Sequence, residues 1–422
     1  MFGSELLMLG EMFLFAAVVT ILGGAVGYLL VLVVDVINSA SSRALTPFLR
    51  LGQWAPFFIV CALPKWPIQG IPLELIAGVA TVSAFVLYEL LIGRTSAWHL
   101  RVSELPKLAR GAALYALLFS IYSQIFQSSG WMAEMSHRPG ATYGFVLTTC
   151  LIIFLFERAF GANFDDSAKQ HGDASISFLE DLKPAYAVVA VILSVVGLGT
   201  WQIFAKFGER NLMLGSPVEV AVVGFSTLFQ GSNNTAVLIG RAWSIEDALI
   251  STLEILIGVI VAGGLSLIIY NMMIKHDSFR RVMSQLLITT YLAPLIGVLG
   301  FSHWVGRDWE FWLTILVVAS VTFYPFLKSM WGCASTPIQL RILIASVESL
   351  PFAFVGMMIG ESWAASKGIA FFTILSRSAR RINEAMAVSL LSFTLFVVFS
   401  VFLWVISKSL LSRPNRFRTL DK

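Results

Sequence analysis

Acidic side chains inside long apolar runs are the first residues in this sequence that could do chemistry. Those inside such runs or at their edges are Glu11, Asp35, Glu74, Glu254 and Glu348. An ionisable group at the depth of a bilayer core is costly and is a functional candidate by default. Asp35, Glu74 and Glu348 stand near the ends of their runs, where water reaches them. Glu254, together with the neighbouring Thr252, is therefore the best candidate for lining a path, and a carboxylate there would disfavour an anion.

Other kinds of chemistry find no support in the residue pattern. The five histidines lack metal-ligand spacing, and the three cysteines form no CxxC pair, so we expect no metal site and no disulfide framework. No nucleophile, base and acid occur in a recognisable arrangement. A phosphate-cradling G-x-x-x-x-G-K-[ST] loop is also missing from the sequence. The sequence therefore predicts no catalytic residues, no cofactor bound by this chain and no enzymatic activity.

The composition indicates where the chain resides. Of its 422 residues, 57% are hydrophobic and only 13% are charged, whereas about a quarter of a typical soluble domain is charged. Apolar runs recur to the end of the chain, and the N-terminal MFGSELLMLGEMF lacks the basic region of a signal peptide. We expect a polytopic membrane protein in contact with a lipid bilayer and without a nucleic-acid partner.

Eleven apolar runs are candidates for membrane spans, because about 20 such residues cross a hydrocarbon core of roughly 30 Å. They cover residues 7–34, 54–63, 73–92, 111–125, 141–155, 186–207, 248–272, 286–301, 311–327, 348–360 and 385–406. The fold class predicted from them is an all-α membrane protein with about 11 transmembrane helices.

Basic residues suggest how these spans are oriented, because they are enriched in cytoplasmic loops. Basic clusters follow the first, third, fifth, seventh, ninth and last runs, with Arg280 and Arg281 as one example. The trio Arg377, Arg380 and Arg381 falls on the opposite side. An odd number of spans, with the N-terminus outside and the C-terminus in the cytoplasm, fits this distribution best.

Landmarks at one nearly constant offset indicate a duplication. Pro56 and Pro294 are 238 residues apart, as are Trp66 and Trp304, while Gly93 and Gly332 are 239 apart. We predict a first, truncated half at 1–160, a polar cytoplasmic linker at 161–184 and a second half at 185–422. Two homologous membrane halves place a path at their interface.

Several short motifs in the second half carry a resemblance to a known family. They are Ser216-Pro217-Val218-Glu219-Val220, Thr252-Leu253 with Gly258, Trp304-Val305-Gly306, the stretch from Gly332 to Leu350-Pro351, and Lys367-Gly368-Ile369-Ala370. In this order they resemble the permease subunit of a type I ABC importer, of the nitrate, taurine and aliphatic-sulfonate class. The first half resembles it more loosely, with Gly93 thirteen residues before Pro106. The chain as a whole resembles a duplicated permease.

The resemblance implies partners and a site. The partners would be a cytoplasmic ABC ATPase dimer, which hydrolyses ATP, and a periplasmic or lipoprotein substrate-binding protein. The location would be the bacterial inner membrane, and the substrate a small anion such as nitrate, a sulfonate or taurine. The ATPase would contact two coupling loops, in which the candidate residues are Gly93, Ser96, Trp98, Leu100, Arg101, Gly332, Ser335, Pro337, Ile338, Gln339 and Arg341. Pro325-Phe326-Leu327 stands where the family carries Glu-Ala-Ala.

Other interpretations of the same residues stay open at this point. Each coupling loop could be an ordinary interfacial loop whose basic residues reach toward lipid headgroups. The chain could also be an ion-coupled secondary transporter with internal repeats, which would depend on Glu254. A membrane scaffold with a degenerate repeat is the third possibility.

Overall fold

The computed structural model describes residues 2–37, 39–62, 67–68, 71–92, 215–230, 245–286, 309–364, 366–379 and 381–411, together with individual positions within 108–119, 168–179 and 195–202. These residues are helical apart from short turns and one ladder of two antiparallel two-residue strands, β1 (Pro67–Ile68) and β2 (Ile71–Pro72). The helices are α1 (Phe2–Ile37), α2 (Ser39–Gly52), α3 (Ala55–Ala62), α4 (Leu73–Ile92), α5 (Pro217–Gln230), α6 (Ile245–Lys275), α7 (Asp277–Leu286), α8 (Glu310–Gly332), α9 (Ile338–Ala364), α10 (Ile369–Ser378) and α11 (Ile382–Leu411).

Within the described residues, five stretches are long and apolar enough to cross a membrane. They are Leu14–Leu32 within α1, Ile245–Lys275, Glu310–Gly332, Ile338–Ser362 within α9 and Ile382–Leu411. The prediction of a helical membrane protein is therefore confirmed. The predicted run 73–92 coincides with α4, but α3 has only eight residues, about 12 Å of helix, and is too short to cross on its own. Most of 111–125, 141–155, 186–207 and 286–301 lies outside the described residues, so the number of eleven spans stays a prediction.

The chain forms two compact units, each assembled from three stretches. The first unit comprises Met1–Ser129, Leu182–Ile250 and Lys367–Thr394, and the second comprises Gly130–Asp181, Ser251–Ser366 and Leu395–Lys422. These units are defined by packing, whereas the predicted boundaries at 160 and 185 define sequence halves. The division into two homologous halves stays a prediction.

In the first unit, α1 packs closely on α4 through small residues. A Cβ atom at Gly23 would lie 2.7 Å from the Val82 Cβ, and one at Gly27 would lie 2.9 Å from the Val86 Cβ. The Ser83 hydroxyl donates to the Gly23 carbonyl at 3.0 Å. Small residues allow helix backbones to approach in lipid, so Gly23 and Gly27 have a packing role.

The first unit also holds α5, α10 and the start of α11. At the start of α5, the Ser216 N–H donates to the Glu219 carboxylate at 2.8 Å and the Glu219 N–H donates back to Ser216 Oγ at 3.3 Å, which is a capping box. The Gly215 N–H donates to Asn383 Oδ1 at 2.8 Å. Val220 then packs with Ala385 in a buried apolar cluster.

In the second unit, α6, α8 and α9 form a tightly packed group. A Cβ at Gly258 of α6 would lie 2.7 Å from the Val318 Cβ of α8, and one at Gly356 of α9 would lie 3.0 Å from the Val318 Cα. Farther along, the Tyr270 ring of α6 meets the Trp331 ring of α8 edge to face, with centroids 5.6 Å apart. The second contact lies later than the first in both α6 and α8, so these two helices run parallel. The following helix, α9, runs antiparallel to α8.

The start of α9 differs from the sequence-based prediction. The predicted run began at residue 348, and the polar residues before it were assigned to a coupling loop. In the structure one helix runs from Ile338 to Ala364 without a break, although Pro351 lies inside it. The helix begins ten residues before the predicted run because the polar group of Arg341 is bonded within the protein, as described below.

Part of the predicted linker also packs against the second unit's helices. At the described positions between 168 and 179 the backbone is helical, and Ala168, Gly172, Ser175 and Leu179 are buried while Asp173 is exposed. We call the described positions between 168 and 179 the linker segment. Its buried residues 168, 172, 175 and 179 recur at intervals of three and four residues, which is the periodicity of one buried helix face. One face of the linker segment is therefore buried, although it lies within the polar linker predicted at 161–184.

Candidate functional site

The turn between α8 and α9 contains the only predicted coupling loop that lies within the described part of the chain. The Ala334 N–H donates to the Trp331 carbonyl at 3.2 Å, and the Thr336 N–H donates to the Cys333 carbonyl at 2.9 Å. The Pro337 carbonyl then accepts the Arg341 N–H at 2.9 Å, the first hydrogen bond of α9. Five residues, 333–337, thus reverse the chain in a compact turn.

Arg341 binds this turn to two neighbouring helices. Its guanidinium donates to the Ala334 carbonyl at 2.6 Å and to the Thr336 carbonyl at 2.8 Å, and it also donates to the Tyr270 hydroxyl. The guanidinium carbon lies 5.2 Å from the centroid of the Tyr270 ring. A planar fork of donors suits such a site because it satisfies several acceptors at once. Arg341 therefore fixes the turn to α6 instead of projecting freely into solvent.

Gly332 also points inward, toward the linker segment. A Cβ atom at Gly332 would lie 2.8 Å from the carbonyl carbon of Ala168, and one at Gly172 would lie 2.9 Å from the Cys333 nitrogen. Real Cβ atoms do not approach neighbours this closely, so only glycine fits at either position without displacing backbone. The close contact between two backbones gives a packing reason for the glycine that opens the predicted coupling loop.

The remaining predicted residues of this turn face outward. Ser335, Pro337, Ile338 and Gln339 are exposed, and the Ile338 side chain keeps 43% of its accessible surface. We call these four residues the turn surface. An apolar side chain flanked by polar ones on a rigid turn is suited to contact a partner protein. The six predicted residues of the second loop thus divide into two that hold the turn and four that are available outside it.

The predicted residues of the first coupling loop, Gly93, Ser96, Trp98, Leu100 and Arg101, lie outside the described residues. Their equivalence to the second loop stays a prediction.

An amphipathic basic helix lies at the same end of the second unit as the turn. Tyr270, near the end of α6, contacts both Trp331 and Arg341, and α7 begins seven residues later. Within α7, Arg280 pairs with Asp277 at 3.2 Å. Arg281 and Val282 are exposed. A short helix with basic and apolar faces is typical of the headgroup region of a membrane.

Glu254 lies elsewhere, and its neighbour is a second carboxyl group. Glu254 of α6 is 2% exposed and Glu361 of α9 is 0% exposed, and the two side chains are neighbours. Two carboxyl groups this close repel each other when both are charged. Glu254 is nine residues, about 14 Å, from the start of α6, and Glu361 is one residue before the end of the candidate span Ile338–Ser362. The neighbouring Thr252 is half-buried.

Sequence reasoning missed two parts of this arrangement. Glu361 was not considered because the predicted span ended at residue 360, one position before it. The linker segment was assigned to solvent on its charges, although its small and apolar residues at 168, 172, 175 and 179 already had helical spacing. A search for periodicity inside polar stretches would have found this buried face.

Glu348 also differs from its predicted surroundings. It was expected at the end of a span, but it lies ten residues into α9, about 15 Å from the helix start. Its Oε1 accepts a hydrogen bond of 2.6 Å from the Ser175 hydroxyl of the linker segment. Among the described residues, no group of three or more metal-ligating side chains is present.

The chain was also compared with known proteins. No protein-family model, no curated protein and no solved structure matches it.

Proposed function

We propose that this chain is the membrane permease of an ABC importer for a small anion, and that the α8–α9 turn is where its cytoplasmic ATPase partner binds. The observation that carries the proposal is the division of the turn into an inward half, Gly332 and Arg341, and an exposed turn surface. A contact point for a motor protein needs both properties. It must be accessible, and it must be stiff enough to transmit a displacement to the helices behind it.

The bonds of Arg341 provide a route for such a displacement. A push on the turn surface would move the carbonyls of residues 334 and 336, to which Arg341 is bonded, and through Tyr270 it would move α6 as well. Glycines of α6 and α9 lie in close contact with α8, so the three helices would shift together. Alternating access of a permease requires such concerted helix movement. ATP would be hydrolysed by the partner and not by this chain.

The basic residues beside the turn support a cytoplasmic location for it. Lys275, His276 and Arg281 are exposed at the end of the second unit that carries the turn surface, and basic residues favour the cytoplasmic side. An ATPase partner would be found on that side.

Copurification from native membranes tests this proposal. Tagged full-length chain is purified in mild detergent and the associated proteins are identified, in parallel with a variant that carries Ile338→Asp and Gln339→Ala. We expect an ATPase subunit with the unmodified chain and at least tenfold less of it with the variant, because an aspartate at the centre of the contact adds an unpaired charge. Recovery of no ATPase from either sample would refute the importer function.

A second function is favoured by the buried pair of Glu254 and Glu361. Neighbouring buried carboxyl groups in candidate membrane spans are suited to a proton or cation pathway, and they fit an anion path poorly. The chain would then be an ion-coupled secondary transporter.

Reconstituted vesicles distinguish these two functions. The full chain is placed in liposomes without any ATPase, and an ion gradient is imposed. Proton movement is followed with a pH-sensitive dye inside the vesicles. Gradient-dependent movement that is lost in Glu254→Gln would support the secondary transporter. The importer hypothesis predicts no movement above that of empty liposomes.

A further inference from the structure

The linker segment contacts three separate elements of the second unit. At one end, Gly172 lies against the backbone of Gly332 and Cys333 at the α8–α9 turn. In the middle, the Ser175 hydroxyl donates to Glu348 of α9 at 2.6 Å. Farther along, the Phe178 ring meets the Trp404 ring of α11 edge to face, with centroids 5.1 Å apart. These contacts follow one another along a single helical face.

Each contact is of a kind that constrains position. Two glycines with touching backbones tolerate no displacement toward each other, because there is no side chain to rearrange. A hydrogen bond to a carboxylate is stronger than one between neutral groups. Edge-to-face aromatic pairs add an orientation preference to apolar burial. Together they determine where the turn lies relative to α9 and α11.

We propose that the linker segment is a clamp that positions the α8–α9 turn, so that the connection between the two halves of the chain controls how the turn transmits a partner's movement to α9 and α11. This inference rests on the proposed ABC permease function as far as the partner is concerned. The clamp itself is a property of the second unit and is testable without any partner.

The thiol of Cys333 reports directly on the clamp. Cys333 is fully buried, and its Sγ lies 4.0 Å from the Gly172 carbonyl. Burial raises the pKa of this thiol from 9.0 to about 11. Only the thiolate reacts with maleimides. A pKa that is two units higher lowers the thiolate fraction at pH 8, and with it the labelling rate, about a hundredfold relative to a free cysteine. Release of the linker segment would remove this protection.

Cys61 provides an internal control, because it is also buried but belongs to the first unit. In the full-length chain, with Cys150 replaced by serine, N-ethylmaleimide labelling of Cys333 and Cys61 is followed by mass spectrometry. A local release of the clamp exposes Cys333 alone. A general loosening of the protein exposes both cysteines at once.

The deciding variant is Gly172→Ala, whose Cβ would collide with the backbone at Gly332 and Cys333. We expect at least a tenfold increase in the labelling rate of Cys333 with no change at Cys61. Gly264→Ala is the matched control, since a Cβ at Gly264 has no neighbour within 4 Å among the described atoms, and both rates should stay at their original values. An unchanged Cys333 rate, or equal increases at both cysteines, would overturn the clamp.

If Gly172→Ala does not accumulate in membranes, the labelling rates of Cys333 and Cys61 are measured in Ser175→Ala instead. Loss of the Ser175 bond to Glu348 should raise labelling of Cys333 about threefold and leave Cys61 unchanged. A rate at Cys333 equal to that of the unmodified chain would again overturn the clamp.

The coupling role has a separate readout in proteoliposomes that also contain the copurified ATPase. In Gly172→Ala the ATPase should still bind, because the turn surface is unaltered, but the amount of solute taken up per ATP hydrolysed should fall at least fivefold. An unchanged ratio together with rapid Cys333 labelling would overturn the positioning role. Absence of an ATPase would count against the proposed function and would leave the labelling result on the clamp intact.

Discussion

The two ends of α9 carry the same type of residue in opposite surroundings. In the N-terminal half of the helix, Glu348 accepts a hydrogen bond from the Ser175 hydroxyl, and Arg341, seven residues earlier, binds the carbonyls of the turn. Near the C-terminal end, Glu361 is fully buried and its neighbour is another carboxyl group, Glu254. The two glutamates are thirteen residues, about 20 Å, apart on one helix.

We call the part of α9 that holds Arg341 and Glu348 its mechanical end and the part that holds Glu361 its chemical end. At the N-terminal end the terminal nitrogens of Arg341 and the Glu348 carboxylate have complementary partners, so the arrangement favours rigidity. At the C-terminal end two like groups share a site, so a change in the charge of either group alters the arrangement. An importer would use the first end to receive movement, whereas an ion-coupled transporter would use the second end to bind its ion.

The largest expected effect on stability is at the mechanical end, from Gly332→Ala. The added Cβ would collide with the Ala168 carbonyl group, and a collision with backbone costs about 3 kcal/mol of the free energy of unfolding. Thermal unfolding of the purified chain in detergent measures this. The same methyl group in Gly264→Ala, which meets no described atom within 4 Å, should leave the midpoint unchanged or slightly raised. Equal midpoints for the two variants would contradict the close contact at Gly332.

Arg341→Met should have the next largest effect. It keeps most of the apolar stem but leaves the carbonyls of residues 334 and 336 and the Tyr270 hydroxyl without their donor, which lowers stability by about 2 kcal/mol. Arg341→Lys should recover less than half of this loss, because a single ammonium cannot reproduce the fork of donors. Chemical denaturation of the three proteins gives the comparison. Full recovery by lysine would mean that charge alone, and not geometry, holds the turn.

At the chemical end, Glu361→Ala should cost about 1.5 kcal/mol, because it leaves the buried Glu254 carboxyl without its polar neighbour. Glu361→Gln should differ from the unmodified chain by no more than about 0.5 kcal/mol, since an amide still donates to a carboxylate. The unfolding midpoints of the two variants, compared with that of the unmodified chain, test both expectations. Alanine and glutamine variants of equal stability would show that the two carboxyl groups do not interact.

The smallest effect on stability is expected at the turn surface. Gln339→Ala removes an exposed side chain and should change stability by no more than about 0.5 kcal/mol. Any effect of this variant should appear in ATPase recovery instead. A stability loss as large as that of Arg341→Met would mean that the outward residues also hold the turn, and the distinction between the two halves of the turn would not stand.

Local sequence patterns predicted much of the helical architecture. The run 73–92 coincides with α4, and the runs at 248–272, 311–327 and 385–406 lie within α6, α8 and α11. Each of these three helices extends beyond its predicted run, because an apolar window does not include the polar turns at helix ends. The start of α9 was misjudged by ten residues for a related reason. Arg341 is polar in sequence, but its partners come from the turn and from Tyr270.

The sequence by itself determined that this is a helical membrane protein, because long runs of apolar residues are a local property with one physical outcome in lipid. It also singled out Gly332 and Arg341, and Glu254 within its span. Only the tertiary structure decided what these residues touch. Glu254 meets Glu361, 107 residues later, and Gly332 meets Gly172, 160 residues earlier. The turn between α8 and α9, first distinguished by its polarity, owes its position to these distant contacts, which no local pattern specifies.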